Sequence, residues 1–325
     1  MAVYPSSTFG VPYKPPAPYV PNFRGLRHIV SRWDPEHEDA DGDGWVETWD
    51  LSDPEGGVYF PDADIGGMHL PPFERQTSSS PALSGQRLKG VRTAARPFGW
   101  TVRVWKGDPD DTSAAFEAFD AAIWSVIGDP EQPFRWTVET PAGTRRHLYV
   151  SYAGGDHAYS RDPMADGWVD YEPEFVADDP YWYDANPIVQ EWHQPEQRDF
   201  YEPEDADDLL HISQSASTSS AQITNPGKVA AHLKLEVLDQ MEDVTISVAG
   251  GIIGTPDVAD GQVLVVDTDP RVGSADLDGV DVDDQMIPWD PRPIPAGKTV
   301  PVTIVASGAG WVRATFIPRY YRAWG

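Results

Sequence analysis

Residues 39–50 have the types and spacing to hold a hard cation. In DADGDGWVETWD, carboxylates fall at Asp39, Asp41 and Asp43, a glycine at Gly44, and further acids at Glu47 and Asp50. That order matches the twelve-residue calcium loop of an EF-hand, in which alternate oxygen ligands converge on one ion and a glycine makes the sharp turn. A second acidic run, DLDGVDVDD (Asp276–Asp284), offers the same ligand chemistry. Other reactive constellations are poor. The chain has no G-x-S-x-G, no H-E-x-x-H and no P-loop, and His147, His157 and His193 are scattered. With 52 acids, chance pairs of carboxylates carry no specificity for glycoside hydrolysis. The expectation is therefore no catalytic residue, no cofactor and no assigned metal ligand.

The elements around the first loop decide against an EF-hand. That motif needs a helix on each side to keep the ligands in register. Pro35 lies four residues before Asp39, where it breaks an entering helix. On the far side, WVETWDL alternates with a period of two, which places Trp45, Glu47, Trp49 and Leu51 on one face of a strand. LRHIVSRW (26–33) also reads as a strand, so 34–44 is expected to be an acidic hairpin connection, with calcium present only as a structural clip.

Further along, GVYFP (57–61) reads as a short edge piece, and residues 85–96 with 99–107 as a strand pair. One helix is predicted over 112–127: Thr112 or Ser113 caps it, Phe116, Phe119, Ile123 and Ile127 recur at helical spacing, and Gly128-Asp129-Pro130 ends it. Residues 133–155 form a hairpin around Pro141-Ala142-Gly143. Short strands from about residue 211 onward, parted by turns such as Asn225-Pro226-Gly227 and Pro295-Ala296-Gly297, predict a β-sandwich. The domain reading is an extended Pro- and Tyr-rich arm over 1–25, a first β-sandwich with the helix over 26–200, and a second sandwich over 201–325. The fold class is all-β, or β-rich α+β.

Composition bounds the function. The 325 residues contain no cysteine, which excludes disulfides, thiolate metal sites and a cysteine nucleophile. No apolar run is long enough to span a bilayer, and residues 1–21 do not read as a signal peptide. A net charge of −28 repels phosphate backbones, so nucleic-acid binding is not the expected task. The charge suits solubility, a high-salt habitat, or a passage that DNA must cross without sticking. Of the 13 tryptophans, Trp100, Trp105, Trp124 and Trp136 are expected in cores. Trp182 and Trp192 are expected at contacts between domains or subunits.

The order of these features resembles siphophage distal tail proteins, often called minor tail proteins in actinobacterial phages. The resemblance rests on WDLSDPEGGVYFPDADIGGMHLPPFERQTSSSPALSGQRLKG (49–90), where a W-D-L strand is followed by a G-V strand, a G-M-x-x-P-P segment, a polar Ser/Thr run and a G-x-R-x-x-G strand. It continues through FGWTVRVWKG, the single helix, the 133–155 hairpin, DGWVDYEPEFVADDPYWY, NPGKVAAHLKLEV, VDTDPRVG and FIPRYYRAWG. It implies a ring-forming N-terminal sandwich and a galectin-like C-terminal sandwich. It also implies a homo-hexamer that joins the tail tube protein to a tail-associated lysin or baseplate hub protein. DNA would pass through the lumen without specific binding, and there would be no membrane insertion. The protein would be made in the host cytoplasm and reside in the virion. The acidic loop at 34–44 departs from the family pattern in its length and is expected to be a contact loop. Arg145 or Arg146 is expected to bridge subunits. A carbohydrate-binding module for host attachment is the second reading.

Overall fold

A computed structural model of the chain describes residues 25–35, 44–61, 65–80, 83–105, 113–155, 162–193 and 217–325. The arm expected over 1–25, the acids Asp39, Asp41 and Asp43, His157 and the linker at 201–211 lie outside the described residues, apart from Gly25. The chain divides into two compact units, the first formed by residues 1–185 with 321–325 and the second by 186–320. The division falls at residue 185 rather than 200 because Ile188–His193 pairs along its whole length with Trp311–Phe316 of the second unit.

In the first unit, β1 (Arg27–Trp33), β2 (Trp45–Asp50), β3 (Val58–Tyr59), β4 (Phe73–Ser80), β5 (Leu83–Thr93), β6 (Arg96–Gly99) and β7 (Val102–Trp105) precede the helix α1 (Ser113–Ile127). Then come β8 (Phe134–Glu139), β9 (Arg145–Gly154), the single turn α2 (Pro163–Asp166), β10 (Trp168–Tyr171), β11 (Glu174–Ala177) and β12 (Trp182–Asp184). The main sheet runs β2-β1-β8-β9-β11-β6, with β12 joining β9 beside β11; a second sheet runs β10-β7-β3. Thus 85–96 and 99–107 do not pair with one another: β5 pairs with β4, and β7 with β10 and β3.

The helix forms where expected and buries Phe116, Ile123, Val126 and Ile127. Trp124 meets Tyr171 edge-on at 5.1 Å between ring centroids, and the Tyr171 hydroxyl donates to Asp120 at 2.5 Å. Aromatic rings fill the core, with Trp100 in contact with Phe60, Phe98, Phe134, Trp136 and Phe175. Trp182 is fully buried against Trp136, at 4.9 Å, so it is a core residue rather than a contact group. Trp105 makes the opposite move and is exposed. A bulge opposite Val30 and Ser31 also breaks the alternation of β2. Trp45 packs on Trp33 and Tyr149, whereas Trp49 turns to the other face and meets Phe119 of the helix.

The second unit is a sandwich of two antiparallel sheets. One contains β13 (Ile188–His193), β15 (Lys234–Leu238), β18 (Val263–Asp267), β19 (Ser274–Leu277), β20 (Val280–Asp281) and β23 (Trp311–Phe316), in the order β13-β23-β15-β18-β19-β20. The other contains β14 (Ser217–Thr224), β16 (Met241–Val248), β17 (Gly251–Gly254), β21 (Trp289–Asp290) and β22 (Thr299–Gly308), in the order β14-β22-β16-β17-β21. Each central strand alternates inward and outward residues, as a two-layer packing with one solvated face requires. Its core is aliphatic, with Leu235, Val237, Ile246, Leu264, Val302 and Val312 all at 1% exposure or less; Trp192 is also part of it, which places that residue in a core and not at a contact.

Candidate functional site

Trp33 pairs with Trp45 and the Asp34 N–H donates to the Gly44 carbonyl at 2.9 Å, so the first loop joins two antiparallel strands as expected. Gly44 sits at φ +71°, where a Cβ would lie 2.7 Å from the Trp33 ring, so this position needs glycine. Of the candidate ligands, Glu47 is bound to Arg145 at 2.5 Å and Asp50 to Arg27 at 2.6 Å. In the second run, carboxylates accept from separate backbone N–H groups: Asp276 from Gly279, Asp278 from Val263, Asp281 from Asp283, and Asp283 from Ala275. Among the described residues no three acids or histidines converge as a metal site.

Glu47 and Asp50 belong to a larger ion-pair network on the outer face of the main sheet. Its centre is Glu139, whose two oxygens meet Arg145 Nε at 3.0 Å and Arg27 Nη1 at 3.3 Å while the carboxylate is nearly sealed from water. A buried carboxylate between two cations is stabilising only while both remain, and removing its charge strands them. Glu139→Gln is expected to destabilise the first unit by about 2 kcal/mol, measured by urea unfolding; an unchanged midpoint would show the network to be neutral. Arg145 is thus engaged within its own unit. Arg146 is also, donating to the carbonyls of Arg322 at 2.9 Å and Gly325 at 3.4 Å. Any bridge from either residue to a second copy would therefore be made in addition to these contacts.

The feature that sequence reasoning missed is the ribbon β4–β5. These strands pair only with each other among the described residues, and their side chains are exposed or half-exposed over almost their full length. The register sets Phe73 opposite Thr93, Arg75 opposite Val91 and Thr77 opposite Leu88, so Phe73, Val91 and Leu88 share one exposed face. Arg87 and Arg92 lie on the other, opposite Ser78 and Glu74. Residues 73–93 contain four bases (Arg75, Arg87, Lys89, Arg92) and one acid (Glu74), a local charge of +3 in a chain of −28. The signal available in the sequence was this reversal of charge rather than any apolar period.

At its root the ribbon is gripped by a buried cation. Arg96, three residues beyond β5, donates from Nε and Nη2 to the Pro180 carbonyl at 3.0 and 2.6 Å, and from Nη2 to the Tyr321 carbonyl at 2.8 Å. Its Nη1 donates to the Gly67 carbonyl at 2.6 Å and to that of His69. Burial pulls the guanidinium down from its usual value to about 10, which leaves it charged at neutral pH. Gly67 makes this possible: at φ +86° its Cα lies against the rings of Phe98 and Trp136, where a Cβ would come within 3.0 Å of both. The segment before β4 and the residue after β5 are thus tied through one side chain.

No protein-family model and no curated protein sequence matches the chain. A solved structure does: that of the phage SPP1 Dit protein (gp 19.1), described as a paradigm of the hub adsorption apparatus in phages infecting Gram-positive hosts, aligns over 91% of this chain and 99% of its own with a TM-score of 0.57 at 12% identity. The fold is that of a distal tail protein. Chains of the phage p2 baseplate in its activated conformation, with strontium and with calcium, align over 90% and 88% of this chain and 98% and 99% of theirs, at 9% identity and TM-scores of 0.48 and 0.46. The alignment with the SPP1 Dit chain runs through both units, in keeping with the resemblance in the sequence.

Proposed function

We propose that this protein is a structural component of a phage tail tip, a distal tail hub without catalytic activity, which acts as a ring of six copies. The observation that carries the proposal is the alignment of both units, in order, with nearly the whole of the SPP1 Dit chain. Within that reading the tail tube protein lies on one side of the ring and a tail-associated lysin or baseplate hub on the other, and DNA crosses the lumen.

The ribbon supplies a physical reason for assembly. A two-stranded ribbon with both faces in water is marginal on its own, and this one exposes Phe73, Leu88 and Val91. It also carries +3 against −31 for the rest of the chain. An acidic neighbouring copy is therefore an attractive surface for it, and contact would cover the apolar stripe. Six copies bring together a charge of six times −28, or −168, which assembly must offset; ribbon cations set on acidic neighbours do that at the interface.

Mass in solution tests the ring: six copies of 35.9 kDa give about 215 kDa by light scattering, and a persistent monomer that is also absent from virions would sink the proposal. Reversing two ribbon charges, Arg87→Glu with Lys89→Glu, is expected to weaken association at least about tenfold, or about 1.4 kcal/mol. The melting temperature of the isolated subunit should stay constant, since neither side chain makes an ion pair among the described residues.

One observation favours a second reading, glycan attachment by the second unit. Trp289 is 42% exposed there, beside the solvent-facing pair Arg292–Asp290 at 3.0 Å. An open indole with adjacent polar groups suits a sugar ring. Loss of host cell-wall polysaccharide binding on Trp289→Ala would support it, and no binding by the intact protein would remove it.

A further inference from the structure

The segment Tyr321–Gly325 returns to the first unit, and its contacts gather at one place. The Tyr321 carbonyl takes a hydrogen bond from Arg96, and the Tyr321 ring lies edge-on to Phe73, the first residue of β4, at 5.7 Å. The Ala323 N–H donates to the Met68 carbonyl at 3.0 Å, with Ala323 fully buried. Trp324 meets His69 at 5.8 Å, and Arg146 holds the carbonyls of Arg322 and Gly325. Met68, His69 and Phe73 are the approach to the ribbon, while Arg96 closes its exit.

We propose that residues 321–325 act as an intramolecular ligand: they fill a short-segment site made by Arg96, Arg146, Met68, His69 and Phe73, and their binding fixes the root of the β4–β5 ribbon. Arg96 is the coupling element. Its planar guanidinium satisfies carbonyls from residues 67 and 69, from residue 180 and from residue 321 together. When the segment leaves, one buried N–H of Arg96 loses its acceptor, the Met68 carbonyl loses its donor, and Phe73 loses a ring contact. A buried charge-assisted donor without a partner is costly, so the rest of the cluster must rearrange, and that cluster is the ribbon's base.

The proposal gives the ribbon of the tail-hub reading its fixed direction, yet its test does not require a ring. Amide hydrogen exchange is compared among the full chain, a chain ending at Tyr320, and the full-length variant Ala323→Asp, which keeps the protein testable if the truncation fails to fold. Exchange over residues 65–96 should rise at least about tenfold in both altered proteins, with residues 217–316 unchanged. The peptide Tyr-Arg-Ala-Trp-Gly at millimolar concentration should restore protection to the shortened chain. Unchanged exchange at 65–96, an equal rise in both units, or no restoration by the peptide would each overturn the proposal. A monomeric wild-type protein would remove the ring reading and leave this result standing.

Discussion

Replacing Arg96 with methionine is expected to lower the stability of the first unit by about 3–5 kcal/mol, seen as a drop on the order of 10 °C in one of two calorimetric transitions. The size follows from what the substitution leaves behind. Methionine matches the volume of the side-chain stem but donates nothing, and the acceptors are backbone carbonyls of Gly67, His69, Pro180 and Tyr321, which no further substitution can remove. An ion pair can be traded for apolar contact by changing both partners; this cluster cannot. Arg96→Lys should recover little, because a compact ammonium cannot span carbonyls disposed around a planar fork. A first-unit transition within about 2 °C of wild type would show that water replaces the guanidinium without penalty.

The second large effect is acid lability centred on two buried histidines of the first unit; in the second unit burial also lowers His232, which is only half-buried. His28 stacks on Trp136 and meets Phe60 edge-on, and burial lowers its pKa to about 4. His147 lies flat on Tyr183; burial, then the positive charges of Arg135 and Arg145, lower it to about 3. Both folded values lie below the ordinary imidazole value of 6.5. Above pH 6.5 folded and unfolded chains both hold neutral imidazoles, and stability is complete. Below it the unfolded chain takes up protons that the folded chain refuses, so stability falls until the pH reaches the folded pKa values. At 1.36 kcal/mol per unit, His28 accounts for about 3 kcal/mol and His147 for about 5, a large part of a typical domain's total. In the second unit, burial opposes and Arg271 overcomes that opposition, holding Asp269 down at about 2, so its contribution is lost only as pH falls from about 4 toward 2. The first unit should therefore unfold near pH 4, where the two histidines together have lost about 7 kcal/mol, before the second does. His147→Phe, which keeps a ring against Tyr183, should move the first transition to lower pH; an unmoved midpoint would clear His147 of the effect.

Much of this architecture was legible in the sequence. The β8–β9 hairpin announced itself by apolar alternation around Pro141-Ala142-Gly143, and α1 by apolar residues at helical spacing before Gly128. The strand flanks of the acidic loop were legible too, because Pro35 and the alternation after Gly44 leave no room for helices. What failed had a common cause. Periodicity reports burial, and β4, with FERQTSSS facing water on both sides, has none to report. Trp182 was misplaced because neighbouring prolines look irregular locally, while the pairing with β9 that carries it inward is made with residues some thirty-five positions away. The bulge at Thr48 turned Trp49 over without leaving a mark in the pattern. The root cluster was hidden for another reason: Arg96 acts on carbonyl groups, which every residue has, so no side-chain motif encodes it.

The return of Tyr321–Gly325 to the first unit makes the second unit an insertion with two attachment points, at 185/186 and at 320/321. A domain appended at one end hangs by a single strand, whereas a load on this one reaches the first unit through two covalent strands in parallel, each carrying part of it. The same two junctions mark where a replacement cassette would have to be spliced. Recombination could exchange the whole of residues 186–320 for another module, provided that the incoming piece brings its own two ends within reach of both junctions.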